Sequence, residues 1–286
     1  MKSLTNIFNS KKRLIFAILG LLCTIIIVSV LIINKHEEES PFFGLQQKQF
    51  SELNNSVHKA VLAQNSKYAE GEASTEGHVI LDVDKEADTF KVYTVSSFGA
   101  FSFENGIFTK TSGSGAIPTV ITFSKNNNGK FALISYKEPQ DGDLYESSVK
   151  SLFPEKLQSK VLNAQSYNTN LSNQQESQAK NYLKSINRTA KVSIVDIEKK
   201  LPNINVQASN KLFAELAKSD EFISNCPYWI GTREKIENNV RYIYGTSQSK
   251  TNDGYDMITF TKTKVDGTVV KQISYKIVGS DIQLVS

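Results

Sequence analysis

Three histidines supply all the imidazole in this chain: His36, His58 and His78. A zinc hydrolase of the H-E-x-x-H type needs two of them one helical turn apart around a glutamate, and none of the three stands in that pattern. His78 follows Glu76 at the start of an alternating run, a position that suits a core or surface role. Acyl-serine chemistry needs a lysine one turn from the serine to take its proton. Ser56/Lys59, Ser147/Lys150, Ser177/Lys180 and Ser247/Lys250 have that spacing, about as often as the composition scatters it, and no K-T-G accompanies them. Asp82, Asp84, Glu86 and Asp88 alternate like a calcium loop. They lack its glycine at the sixth position and bidentate glutamate at the twelfth, and strand alternation would put them on one solvated face. The sequence therefore gives no catalytic residue, no metal site and no cofactor site to expect.

Aromatic side chains are the other candidates. Asn225-Cys226-Pro227-Tyr228-Trp229-Ile230-Gly231 carries the only tryptophan. Tyr228 and Trp229 there, with Phe101 and Phe103, form the candidate recognition surface, because aromatics dominate contact energy at interfaces. The alternative is that Trp229 plugs a gap between helix and sheet. The same two readings hold for the phenylalanines 98, 101, 103 and 108 around Gly99 and Gly106. Cys226 reads as a buried small hydrophobe or as an intermolecular bridge. Cys23 lies in an apolar stretch and is not a partner for it.

The elements that would position these residues follow from periodicity. An amphipathic helix is expected from about Gln46 to Gln64, with Phe50, Leu53, Val57, Ala60 and Val61 on one stripe. The period then changes to two. Strands are expected over His78–Asp84, Thr89–Ser96, Ala100–Lys110, Thr119–Lys125 and Lys130–Lys137, with Asn126-Asn127-Asn128-Gly129 as a hairpin turn and Thr111–Gly115 as a flexible connection. Asp143 is a plausible N-cap for a helix over Leu144–Phe153, and Pro154 breaks that helix and starts another to about Ala164. Asn168–Arg188 reads as a polar helix that covers the first sheet or bridges to a second, and Val192–Ile197 as a short strand. After Pro202 the plan repeats: a helix over Ser209–Lys218, then strands over Val240–Ser247, Asp256–Lys264, Thr268–Val278 and Ile282–Val285, with Asp266-Gly267 as the tightest hairpin signal. The fold class is α+β. A helix laid on a curved antiparallel sheet suggests a cystatin or NTF2-like roll, an analogy of fold and not of function.

All of this follows a stretch without charge or proline, Leu14–Ile33. Twenty residues at ~1.5 Å rise make a helix of about 30 Å, the thickness of a hydrocarbon core. Lys2, Lys11, Lys12 and Arg13 precede it and acidic residues follow, so the positive-inside rule places the N-terminus in the cytoplasm and the C-terminal part outside. A cleaved signal peptide has a shorter apolar region and an A-x-A-like site, which is missing, and Cys23 lacks a lipobox. The expected layout is a cytoplasmic tail (1–13), a transmembrane helix (14–33), a linker (34–45), an α+β domain (46–200) and a smaller α+β domain (201–286). The 286 residues carry a formal charge of +4. The 33 Lys and Arg less the four before the span leave 29, equal to the 29 Asp and Glu, so the outer part is neutral. No field draws nucleic acid to it.

Glu104–Thr109, the GSGAIPTVITF run, Tyr136-Lys137-Glu138-Pro139, Asp141–Tyr145, Leu152-Phe153-Pro154 and Ala179–Arg188 together resemble the extracytoplasmic C-terminal region of BlaR/MecR-type membrane metallopeptidases and regulators of Gram-positive bacteria. The resemblance spans about residues 50–195. It implies a regulatory or sensory outer module. The chain departs from that family in having one expected span and no zinc-peptidase motif or convincing penicillin-binding motif, so no catalytic residue carries over. The function expected is that of a single-pass, membrane-anchored, non-catalytic binding or regulatory protein of the bacterial envelope, with the bilayer and an envelope protein or membrane regulator as partners. The alternatives are an enzyme on an NTF2-like scaffold that uses a carboxylate in the sheet cavity, and a structural or assembly factor.

Overall fold

One long strand holds most of the sheet together. β2 (Thr89–Glu104) hydrogen-bonds to β1 (Ala73–Glu86) along one side. Along its other side it pairs first with β4 (Ile117–Lys125) and then with β3 (Ile107–Gly113). β5 (Phe131–Lys137) closes the far side of β4, and the two-residue β6 (Val192–Ser193) runs parallel to β3. The computed structural model describes residues 45, 47–65 and 70–285. The expected tail and membrane span lie outside them, as does the expected linker apart from Leu45. Among the described residues no helix is long and apolar enough to cross a membrane.

Alternation along β2 sorts its side chains onto two covered faces. Tyr93, Val95, Phe101 and Phe103 point to the side packed by α2 (Tyr145–Leu152), α3 (Glu155–Leu162) and α4 (Asn168–Ser185). Phe90, Val92, Phe98 and Ala100 point the other way and are buried too. On that side lies α1 (Gln47–Asn65), which buries Leu53, Val57, Ala60 and Val61 of the expected stripe.

α4 does more than cover a face. Its buried stripe is Leu171, Gln175, Ala179 and Leu183, and a neighbouring stripe serves the open edge of β1. Gln174 accepts from His78 N at 3.1 Å and donates to His78 O at 2.9 Å. One turn on, Gln178 accepts from Glu76 N at 3.1 Å and donates to Glu76 O at 2.7 Å. Four helical residues advance about 6 Å and two strand residues about 6.7 Å, so the two ladders match. The glutamines stand where a further strand would, and they cap main-chain groups that an exposed edge leaves open to other chains. This close approach requires Gly77, because a Cβ there would meet the Leu171 carbonyl oxygen at 2.5 Å. The open choice for Asn168–Arg188 is thus decided in favour of covering the first sheet.

From Pro202 a second core forms. α5 (Val206–Asn210) continues through a π-helical stretch, Lys211–Leu216, to Ala217–Ser219, and α6 (Glu221–Asn225) follows. Asn205 and Asp220 cap α5 and α6 through their side-chain oxygens. Leu212, Phe222, Ile223 and Cys226 pack on Tyr244, Ile258 and Phe260 of an antiparallel meander. The meander comprises β7 (Gly231–Glu237), β8 (Val240–Lys250), β9 (Asp256–Lys264), β10 (Val269–Val278) and β11 (Asp281–Leu284). It joins the first sheet through β7 beside β2, and the residues from Lys48 on form one compact unit. The protein is α+β, with a large, mostly antiparallel sheet and few helices.

Several boundaries differ from expectation. The run Ala100–Lys110 is not one strand: Asn105 (φ 50°) and Gly106 (φ 73°) make a two-residue turn between β2 and β3. Both central residues left-handed is the hairpin turn that asparagine followed by glycine favours. The supposed flexible connection is largely strand, since β3 reaches Gly113. Asp143 caps no helix and lies inside a 3₁₀ turn, Gly142–Leu144, that leads into α2. The strand expected over Val192–Ile197 is two residues long. The Pro154 break and the Asn126–Gly129 and Asp266-Gly267 turns are as expected.

Replacing Gly77 by alanine should destabilise the protein by about 1–3 kcal/mol, the cost of overpacking against fixed backbone. Gly115→Ala, whose Cβ would first meet Gln165 Oε1 at 3.9 Å, should be near neutral. Chemical denaturation of the two variants side by side checks this.

Candidate functional site

The sheet crosses from the first half to the second at a single residue pair, Glu104 of β2 with Arg233 of β7. The turn residue Asn105 extends this join with its own groups. Its N–H donates to Thr232 O at 2.9 Å, and its side-chain Oδ1 accepts from Thr232 N at 2.7 Å. β7 pairs fully with β8 on its other side. Beyond the Glu104–Arg233 pair, β1 takes over the edge of β2, with Glu72 N donating to Phe101 O. The two strands diverge there and leave a groove of about 590 Å³, walled by Glu70–Glu72, Ser102, Glu104 and Arg233–Ile236 and bounded by Thr111, Ser112 and Tyr182.

An ionic network ties the groove together. Arg241 of β8 donates to both oxygens of Glu72 at 2.6 Å and to Glu234 at 2.9 Å. Arg188, just after α4, donates to both oxygens of Glu234 at 3.2 and 3.0 Å. Tyr182 donates to Glu72 at 2.8 Å. Both guanidinium groups lie over the Phe103 ring, at 4.5 and 5.0 Å from its centroid. Hydrogen bonds to Glu72 raise the Arg241 pKa above its ordinary value. Burial and the bond to Glu72 push the Tyr182 phenol up to about 12. On the other side of the seam Trp229 lies between Lys199, 4.6 Å from its ring, and Arg233, 4.9 Å away. Lys199 also faces Glu104 at 3.3 Å and Asp196 at 2.9 Å.

These contacts place the aromatic residues singled out in the sequence. Phe101 and Phe103 are fully buried and Trp229 is 1 % exposed, so they offer no recognition surface of their own. Tyr228, at 53 %, reaches solvent and meets the Trp229 ring edge-on at 5.0 Å. The reason is strand parity, which turns residues 101 and 103 toward α4, and the seam, which closes over Trp229. Phe103 and Trp229 instead become the ring platforms on which the seam's cations rest. Cys226 is a buried free thiol, pushed by burial up to about 12.

The histidines find a use that spacing alone did not suggest. Glu76 is 1 % exposed, and two imidazoles hold it. His58 Nδ1 of α1 lies 2.6 Å from Oε1 and His78 Nδ1 lies 2.9 Å from Oε2, while His78 Nε2 meets Asn54 Oδ1 at 2.9 Å. Burial opposes ionisation of Glu76 most strongly, but the bonds and charges of His78 and then His58 outweigh it, and its pKa falls below the usual 4.5. This knot pins α1 to β1. Desolvation of its carboxyl, with Asp141 nearby, pushes Glu138 up, and that residue lies just past the end of β5 with much of its surface in solvent. Among the described residues no group of three or more histidine, cysteine and acidic side chains is set to hold a metal ion.

The four Ser/Lys pairs do not assemble. Ser56 and Ser147 donate to main-chain carbonyls within their helices, and Lys150, Lys180 and Lys250 pair with Glu146, Glu176 and Asp256. Of the acidic run, Asp82 pairs with Lys156 at 2.5 Å and Asp84 accepts from Tyr93 at 2.8 Å. Sequence reading missed the strand Gly231–Glu237 and with it Arg233 and Lys235, because a charged run has no apolar alternation. The Asn105-Gly106 pair was the legible signal for the turn beside the seam. Comparison with family models, with curated proteins and with solved structures found no match.

Two outcomes follow from this geometry. Arg241→Ala leaves Glu72 without its guanidinium and Glu234 with only Arg188, and should cost about 3–5 kcal/mol, the usual penalty for breaking a buried ion pair. Urea unfolding measures it. Glu76 has a depressed pKa in the folded state, so its stabilising effect is complete above 4.5 and fades as pH falls through the lower folded value. The stability gap between wild type and Glu76→Gln should therefore shrink on acidification below 4.5, as read by melting at a series of pH values.

Proposed function

We propose that this chain is a single-pass, membrane-anchored protein of the bacterial cell envelope whose extracytoplasmic part binds a ligand or partner in a regulatory, sensor-like role without catalysis. The observation that carries the binding half of this reading is the seam groove. Its volume of about 590 Å³ lies within the range of roughly 300–1,000 Å³ common for ligand sites. It sits between two halves of the protein, where a ligand can bias their relative arrangement, and the Arg241–Glu72–Glu234–Arg188 network keeps it formed. The anchor half rests on Leu14–Ile33 and its flanking charges, which put the N-terminus in the cytoplasm and the rest outside the plasma membrane.

The resemblance to the outer region of BlaR/MecR-type regulators fits this reading and suggests a freestanding module that partners or competes with such a regulator. The helix laid on an antiparallel meander in the second half supports the cystatin or NTF2-like roll. Against the enzymatic alternative, Glu76 is the carboxylate most deeply placed in the first sheet, and it is held ionised by two histidines instead of being kept as a proton donor.

One reagent tests both halves. Cells carrying Ile236→Cys or Lys85→Cys are treated with a membrane-impermeant, bifunctional thiol crosslinker. Both positions are exposed, and only Ile236 borders the groove. Labelling of both cysteines from outside, with a crosslinked adduct at position 236 alone, is the expected result. No labelling at either position would reject the topology, equal adducts at both would reject the groove, and turnover of a substrate by the purified chain would reject the non-catalytic reading.

A further inference from the structure

The charges around the seam groove are not all spent on one another. Glu72 and Glu234 are tied to Arg241 and Arg188, and Glu104 faces Lys199. Arg233 has no carboxylate partner among the described residues and makes no side-chain hydrogen bond there. Its guanidinium carbon lies over the Trp229 ring, 4.9 Å from the centroid. Lys235 donates to the neutral Asn225 side chain at 2.6 Å and pairs with no carboxylate. Glu70 is the one lining carboxylate without a partner among the described residues. Arg233 and Lys235 are thus the lining cations that pair with no carboxylate, while Glu104 shares its one cation, Lys199, with Asp196.

Position puts these cations on one wall. Glu104 and Arg233 are cross-strand partners, so their side chains share a face, and Lys235, two residues on, shares it too. Ser102 lies two residues before Glu104 on the same face of β2. Ser112 belongs to that face as the partner of Ala100. The hydroxyls of Ser102 and Ser112 have no hydrogen-bond partner among the described residues, and both border the groove. A guanidinium held over an aromatic ring by cation–π attraction spends no N–H on the contact, which leaves its fork for two parallel hydrogen bonds to a carboxylate or phosphate.

We infer that the seam groove is an oxyanion site. It takes a carboxylate or phosphate group of an elongated ligand on Arg233 and Lys235, with Ser102 and Ser112 donating hydroxyl hydrogen bonds. This rests on the binding reading above and adds the class of ligand. Trp229 is the positioning residue that holds Arg233 ready, which gives the chain's only tryptophan a part in recognition although it is buried.

Calorimetric titration of the full chain in detergent tests it with three probes: inorganic phosphate, N-acetyl-trialanine with a free carboxylate, and the same peptide as its amide. At least one of the two oxyanions should bind, and the amide should bind the peptide site at least about tenfold more weakly, since a charge-assisted hydrogen bond is lost. Arg233→Ala and Lys235→Ala should each weaken the bound oxyanion by roughly tenfold or more. Lys235 is exposed, so its variant keeps the test valid if Arg233→Ala does not fold. Phosphate binding without peptide binding identifies phosphate as the source, and the converse identifies a carboxylate. Equal binding of acid and amide without phosphate binding, unchanged affinity in Lys235→Ala, or no oxyanion binding at millimolar concentration would each overturn the inference. If those results came with an adduct at position 236, the groove would still bind something and only the ligand class would be wrong. Without an adduct, the binding reading would fail as well.

Discussion

The two halves share one ladder pair, Glu104 with Arg233, extended only by the bonds of Asn105 to Thr232, and so short a join cannot by itself hold two sheets in register. The ionic network of Glu72, Arg241, Glu234 and Arg188 supplies what the backbone lacks. Each of its members comes from a different segment, so it forms only when β1, the end of α4, β7 and β8 are all in place. Charges partly withdrawn from water cost free energy unless each is paired and hydrogen-bonded. Here the pairing is bidentate on both arginines, and the Phe103 ring covers their planes. The groove, the placement of its cations and the burial of the aromatic residues all depend on that arrangement.

Edge control is a second constraint. β1 would be an open edge beside Glu76 and His78, and the amide side chains of Gln174 and Gln178 fill it. The same strand carries Glu76 inward to His58 and His78. One short stretch, Glu76-Gly77-His78, therefore meets α4 with its main chain and α1 with its side chains. Gly77 is the residue that lets α4 come close enough. Both helices are locked to the same strand, which makes β1 and β2 the rigid base from which the seam is built.

How much of this was legible depends on the residue. The α1 stripe, the alternation of β1, β2 and β4, the Pro154 break and the Asp266-Gly267 turn follow from rules that act within a few residues. Asn105-Gly106 was legible by the same kind of rule but lay inside an apolar run that read as one strand. β7 was not legible. Its Thr-Arg-Glu-Lys-Ile-Glu pattern carries no period, since its surroundings are a cation, a ring and a groove instead of an apolar core. Trp229, Phe101 and Phe103 could be picked out by type, but whether they faced solvent or a seam could not.

The sequence by itself determined most of the helices and strands, that the class is α+β, and that no local catalytic or metal motif is written into it. These properties rest on side-chain periodicity and turn chemistry, which are carried by neighbours in the chain. Only the tertiary structure decided that Arg241 meets Glu72, 169 residues away, that His58 of α1 joins His78 on the buried Glu76, and that Gln174 and Gln178 complete a strand edge. Such contacts depend on which faces and edges come together when the layers pack. A polar side chain shows the same local pattern whether water or a partner from the other half of the molecule satisfies it.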